Sequence, residues 1–162
     1  MTDSLRHALA FLEAHHVMAL ALAVDGYPHC CSLMYANQGF TLYWVSDPAT
    51  RHSTIVDALP ETEAGVTVAP DYQHFGDIRG LQMFGTAARV SSPAEVEAAM
   101  SALKGRFSLF REFSRAPVAV AAAMARARVY RFRPHTAVFI DNTAGFGTKA
   151  KFTTKELASV GG

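Results

Sequence analysis

Three consecutive side chains, Thr50-Arg51-His52, put a hydroxyl, a guanidinium and an imidazole where LYWVSDPATRHSTIV (Leu42 to Val56) turns from a strand into a helix. A phosphate is held by positive charge, hydrogen-bond donors and shelter from water. Arginine offers a planar fork of donors, threonine a hydroxyl, and a helix start its free backbone N–H groups. The grouping points to a phosphate-bearing ligand. The plainer alternative is a solvated first helical turn with an ordinary surface arginine.

A second stretch, IRGLQMFGTAARV (Ile78 to Val90), alternates as a strand. Arg79, Leu81 and Met83 share one face, and Gly80, Gln82 and Phe84 the other. The Gln82 amide carries donors and an acceptor, which suits the polar edge of a heterocycle. Gly80 and Gly85 read as bends or bulges, and they could let a flat ring approach the backbone. The alternative is a rim glutamine satisfied by backbone. A third stretch, DNTAGFGTKAKF (Asp141 to Phe152), flanks Phe146 with glycines and follows it with Lys149 and Lys151. It is either a lid over a site or a tail whose aromatic tucks into the core. The G-x-x-x-x-G-K spacing of a phosphate loop is absent.

Other chemistries lack their patterns. The seven histidines show neither helical i, i+4 pairing nor zinc-like Cys/His spacing, so no metal site is expected; His29 beside Cys30 is the nearest approach. No G-x-S-x-G elbow and no G-x-G-x-x-G after a strand are present. Cys31 has no identifiable base and reads as a packing residue. The net charge of +1, without a basic stripe, is no nucleic-acid footprint.

The elements that must position these residues belong to one domain. The chain has 162 residues, half of them hydrophobic and 18% charged, enough for a sizeable core. Ser4 to Ala14 repeats leucines at helical spacing. Val17 to Val24, His29 to Ala36 and Phe40 to Ser46 read as a three-strand meander with tight turns. A helix capped at Asp47 or Thr50 would run to about Leu59, and Ala64 to Ala69 is a short strand. Ser92, Pro93 and Glu95 open a helical stretch that continues to about Arg126 with breaks at Gly105 and Pro117. Val129 to Phe132 and Thr136 to Asp141 close the sheet. Residues 1–150 form the domain and 151–162 a C-terminal tail. Many strands without regular helix alternation indicate a mainly β fold, a small antiparallel barrel with flanking helices. Adjacent Cys30 and Cys31 cannot readily pair, so a reduced cytoplasmic protein is expected. The lead-in to VMALALA lacks a basic run, so no export signal is expected, and no apolar run approaches the roughly 20 residues of a membrane span.

The ordered set resembles the FMN-binding split-barrel proteins related to pyridoxamine 5′-phosphate oxidase. It runs from an N-terminal helix through VMALALAVDGYPHCCSLMY, LYWVSDPATRHSTIV and DIRGLQMFGTAARV to a helical insert and closing strands, over roughly residues 4 to 150. The resemblance implies an antiparallel Greek-key split barrel and a homodimer with FMN at its interface. Cys31, Ser32, Leu33 and Met34 would run beside the isoalloxazine ring. Ser46, Thr50, Arg51 and His52 would hold the ribityl phosphate. Gln82 would approach the polar side of the ring from the other subunit, and Phe146 or Lys149 would cover its edge. The implied activity is an FMN-dependent oxidoreductase acting on a small-molecule redox substrate. The alternatives are a non-enzymatic flavin- or haem-binding protein, or use of deazaflavin. The chain lacks the founding oxidase's C-terminal arginine-histidine segment that grips the substrate phosphate, so pyridoxamine phosphate oxidation is not expected.

Overall fold

The computed structural model describes residues 1–112 and 117–160. Thr2 caps helix α1 (Asp3–Ala14), its hydroxyl accepting from the Leu5 N–H at 3.3 Å, and Leu5, Ala8, Phe11 and Leu12 form the buried stripe. Strand β1 (Val17–Val24) alternates strictly, burying Met18, Leu20 and Leu22. Asp25 and Gly26, with φ of 51° and 80°, turn it into β2 (Tyr27–Met34), and only a Gly or Asx-type residue enters that region cheaply. Then follow β3 (Ala36–Gln38), β4 (Thr41–Ser46), α2 (Arg51–Val56), β5 (Thr62–Val68) and β6 (Arg79–Arg89). Helices α3 (Pro93–Arg106), α4 (Ser108–Arg111) and α5 (Val118–Arg126) precede β7 (Arg128–Asp141), β8 (Lys149–Thr153) and α6 (Thr154–Ala158).

All strand pairings are antiparallel, in the order β2-β1-β5-β6-β7-β4-β3, with β8 added to β7. The result is a half-barrel with flanking helices. Its concave side holds one core, to which Trp44, Val66, Leu81, Met83, Tyr130, Phe132 and Phe139 contribute. α1 lies against β3, β6 and β8 and brings Leu5 and Leu12 into that core.

The expected meander is corrected. β1 and β2 form a hairpin, but β4 pairs with β3 and β7, not with β2. The chain crosses over after Tyr35, whose N–H bonds the His16 carbonyl while its hydroxyl donates to the Leu12 carbonyl at 2.7 Å. β2 is therefore an edge strand, and the seam it leaves is the split in the barrel. The two expected closing strands are a single strand, β7, which runs through Pro134. Pro134 stands opposite Gly85, where the β6–β7 register shifts, so the missing N–H falls at an irregularity in the ladder. A side chain at Gly85 would collide with the Arg133 carbonyl. Gly80, by contrast, sits in regular ladder.

Ser92 caps α3 as expected, accepting from the Glu95 N–H. The helix runs through Gly105 and ends at Phe107 instead. The expected helical run also crosses residues 113–116, which lie outside the described residues. Beyond 150 the chain is not loose: β8 pairs with β7, Thr153 and Glu156 form a capping box, and Phe152 and Leu157 are buried in the main core.

Candidate functional site

Thr50 is the N-cap of α2, and its side chain makes no bond to the helix backbone. Its hydroxyl instead lies 3.1 Å from Ser46 Oγ, 3.1 Å from His52 Nε2 and 2.8 Å from Ser53 Oγ. Ser46, at the end of β4, is 2.7 Å from the same His52 nitrogen. Thus Ser46, Thr50 and His52 meet at the strand-to-helix corner. Burial, with His29 adding, holds the His52 imidazole below its ordinary value. It is neutral near pH 7 and offers a ring N–H or a lone pair, not a charge. The charge comes from Arg51, which is exposed and whose guanidinium makes no hydrogen bond or ion pair among the described residues. The nearby Asp47 carboxylate is already engaged, accepting from the Ala49 N–H at 2.9 Å and pairing with Arg126 at 3.2 Å.

β2 alternates across the same seam. Leu33, Cys31 and His29 stand opposite Met18, Leu20 and Leu22, on the inner face, while Ser32 and Cys30 stand opposite Ala19 and Ala21, on the outer face with Met34. The four predicted residues Cys31 to Met34 therefore cannot all present side chains to one ring. Ser32 and Met34 reach the outer face, and the free edge of β2 offers backbone N–H and C=O groups. Both cysteines are free, and burial pushes the Cys31 thiol up. That opposes a role as nucleophile.

Gln82 lies on this outer face. Register runs Ser32, Ala19, Thr67, Gln82, Val138 and Lys151 in one row across the sheet. Three strand spacings separate Gln82 from Ser32, about 14 Å. Lys149, opposite Ile140, which in turn faces Gly80, falls on the same face. Phe146 is not tucked into the core: it is 81% exposed and packs on Phe75 at 5.1 Å between ring centroids. The chain thus carries two groups, Ser46-Thr50-Arg51-His52 with β2 at one edge, and Gln82 with Lys149 and Phe146 farther across.

The family model described as pyridoxamine 5′-phosphate oxidase matches residues 4–139. The chain belongs to that family. The chain is 29% identical over 141 residues to a UPF0306 protein of Klebsiella pneumoniae, 86% of each chain being covered. A haem binding protein from Mycobacterium smegmatis superposes with a TM-score of 0.73 at 16% identity, over 98% of this chain and 61% of that one. The chain thus spans about three-fifths of that protein. An FAD binding protein from the same organism superposes with a TM-score of 0.63 at 14% identity, over 94% of this chain and 97% of that one. At these identities the likeness is one of fold, and it agrees with the split-barrel architecture.

Sequence reasoning missed two features of this family member. His29, Cys31 and His52 converge at the seam although no metal-ligand spacing joins them. They come from a strand and a helix some twenty residues apart, and only the crossover after Tyr35 brings them together. A cavity of about 410 Å³ also opens beside Ser32, walled by Val17, Ala19 and Thr67 from the sheet and by Ala69 and Pro70 from the following loop. A separate cleft of about 430 Å³, lined by Tyr43, Arg133, His135 and Leu157, shares none of the predicted residues.

Proposed function

We propose that the protein is an FMN-dependent oxidoreductase that works as a homodimer, with the flavin between subunits and a small redox-active molecule as substrate. The observation that carries this reading is the corner where two hydroxyls and a neutral imidazole meet, with the next residue along the helix, Arg51, exposed and without a side-chain partner among the described residues. That donor set fits a phosphate monoester. Arg51 supplies the charge and a two-pronged contact, Ser46 and Thr50 can turn their hydroxyls outward, and His52 adds a ring N–H. Bound FMN would supply hydride and electron transfer, chemistry that no side chain here can perform alone.

The chain's own residues bind, orient and shelter. The β2 edge and Ser32 flank the ring plane. Gln82 offers an amide that can donate to charge developing on the polar edge of a reduced ring. The spacing of about 14 Å between Ser32 and Gln82 is too wide for both to grip that edge from one subunit, so Gln82 serves the partner's flavin. The outer face supports a dimer on separate grounds. Val17, Met34 and Phe84 are 51–59% exposed there, and Ala19, Ala21 and Gly65 lie among them as a small-residue floor. Large apolar side chains left exposed on one sheet face favour an interface. Free Cys30 on that face suits a reducing, cytoplasmic setting.

The visible spectrum of the protein after loading with FMN, followed by stopped-flow mixing with NADH or NADPH, tests the proposal. Rapid bleaching with reoxidation by an added acceptor is expected. Bound flavin that stays inert to both nucleotides would make the protein a carrier, and a Soret band on haem titration with no flavin uptake would replace FMN with haem.

A further inference from the structure

His29, Cys31 and His52 meet where β2 faces the start of α2. A ring nitrogen from each imidazole and the Cys31 Sγ all lie within 4.8 Å of one another, and all three residues are half-buried. Nε2 of His29 is shut off from solvent and has no hydrogen-bond partner among the described residues. A buried polar atom without a partner is costly, and its presence needs a reason. His29 and Cys31 are two residues apart on one strand, so alternation aims them at the same side. The His52 ring is fixed through Nε2 by Ser46 and Thr50, so it is oriented in advance.

We propose that His29, Cys31 and His52 form a binding site for one borderline-soft transition-metal cation, of which Zn²⁺ is the best match. Two imidazoles and a thiolate are a three-ligand set for tetrahedral Zn²⁺, with the fourth position left to water or another ligand. With metal–sulfur and metal–nitrogen bonds of about 2.3 and 2.1 Å, ligand atoms sit roughly 3.5 Å apart, so the trio closes by little more than an ångström. On binding, the Cys31 S–H bond breaks, a sulfur–metal bond forms and the proton passes to solvent; no electron is transferred. The site goes beyond the flavin reading. It shares His52 with it but depends on His29 and the Cys31 sulfur.

Titration of the reduced protein, free of flavin, with Co²⁺ tests this. One equivalent per chain is expected to produce a thiolate-to-cobalt charge-transfer band in the near ultraviolet, with about one proton released per metal. Zn²⁺ should displace the cobalt and erase the band. Cys31→Ser should abolish it, while Cys30→Ser, on the opposite face, should leave it intact. His29→Ala should weaken binding by about tenfold or more. Arg51→Ala should keep the cobalt band while losing flavin affinity, so the two sites fail separately. No band at stoichiometric Co²⁺, a band that survives Cys31→Ser, or one that vanishes with Cys30→Ser overturns the proposal. Should Cys31→Ser not fold, an unchanged affinity in His29→Ala overturns it as well.

Discussion

Ser46 Oγ lies 2.7 Å from Nε2 of His52, a contact that ties the end of β4 to the first turn of α2. The strand carries the core residue Trp44 two positions earlier, and the helix carries buried Ile55 and Val56 a few positions later. Both halves of the contact are therefore set by packing, and Arg51, between them in sequence, is exposed beside a pocket that Val24, Asp25 and Leu59 also line.

Replacing Ser46 by Ala should remove one partner from this contact without disturbing the core. The expected effect is FMN affinity weaker by about fivefold, from the loss of about 1 kcal/mol of hydrogen bonding. Quenching of flavin fluorescence on titration measures it. The thermal midpoint of the flavin-free protein should barely move.

Phe84 stands on the outer face at 59% exposure, paired across to Gly65. Phe84→Glu would place a charge in the proposed interface and should weaken dimerisation by about thirtyfold or more. Sedimentation velocity over a range of concentrations reads this directly. Because Gln82 is assigned to the partner's flavin, the monomeric variant should also lose FMN, with its circular dichroism unchanged. A variant that remains dimeric would move the interface elsewhere.

His52 titrates below its ordinary value of 6.5, chiefly because burial disfavours the charged ring. Between the folded and unfolded values, the unfolded chain binds more protons. Stability is therefore full above about pH 6.5 and declines as the pH falls below it. Thermal unfolding should show this decline from pH 7.5 to 5.5, and His52→Gln should flatten it. A wild-type midpoint that rises on acidification over that range, or a slope that His52→Gln leaves unaltered, would contradict the assignment.

Gly85 packs so closely on Arg133 and Pro134 that a Cβ would sit 2.7 Å from the Pro134 Cα as well as striking the Arg133 carbonyl. These are backbone atoms in the middle of the β6–β7 ladder, so they cannot step aside cheaply. Gly85→Ala should cost about 2–3 kcal/mol, measured by urea unfolding, whereas Gly80→Ala, with only ordinary contacts, should cost less.

Much of this architecture was legible in the sequence because its signals are local. β1 announces itself as a short apolar run, though only one of its faces is buried, α3 by Ser92, Pro93 and Glu95, and the strand-to-helix corner by Thr50 and His52 with Ser46 just before them. What escaped depends on long-range pairing. Nothing near Tyr35 reveals that the chain leaves β2 and pairs β4 with β7, because a short turn normally leads to the neighbouring strand. Pro134 argues for a break in β7, and only the matching irregularity at Gly85, some fifty residues earlier, lets the strand continue. The end of the chain, rich in lysine and threonine, reads as solvated until Phe152 and Leu157 are found in the core. The His29-Cys31-His52 cluster has no sequence period at all. It exists because an edge strand and a short helix face each other across the split.

The central claim is that a cationic corner around Arg51 holds the phosphate of a flavin. Titration of FMN into the flavin-free wild type and Arg51→Ala, with riboflavin as a control lacking the phosphate, tests it most directly. A charge-assisted contact of roughly 1.5–3 kcal/mol predicts a ten- to hundredfold loss of FMN affinity in the variant. Riboflavin should bind both proteins weakly and alike. Equal FMN affinity for the two proteins, or a wild type that does not distinguish FMN from riboflavin, would contradict the account.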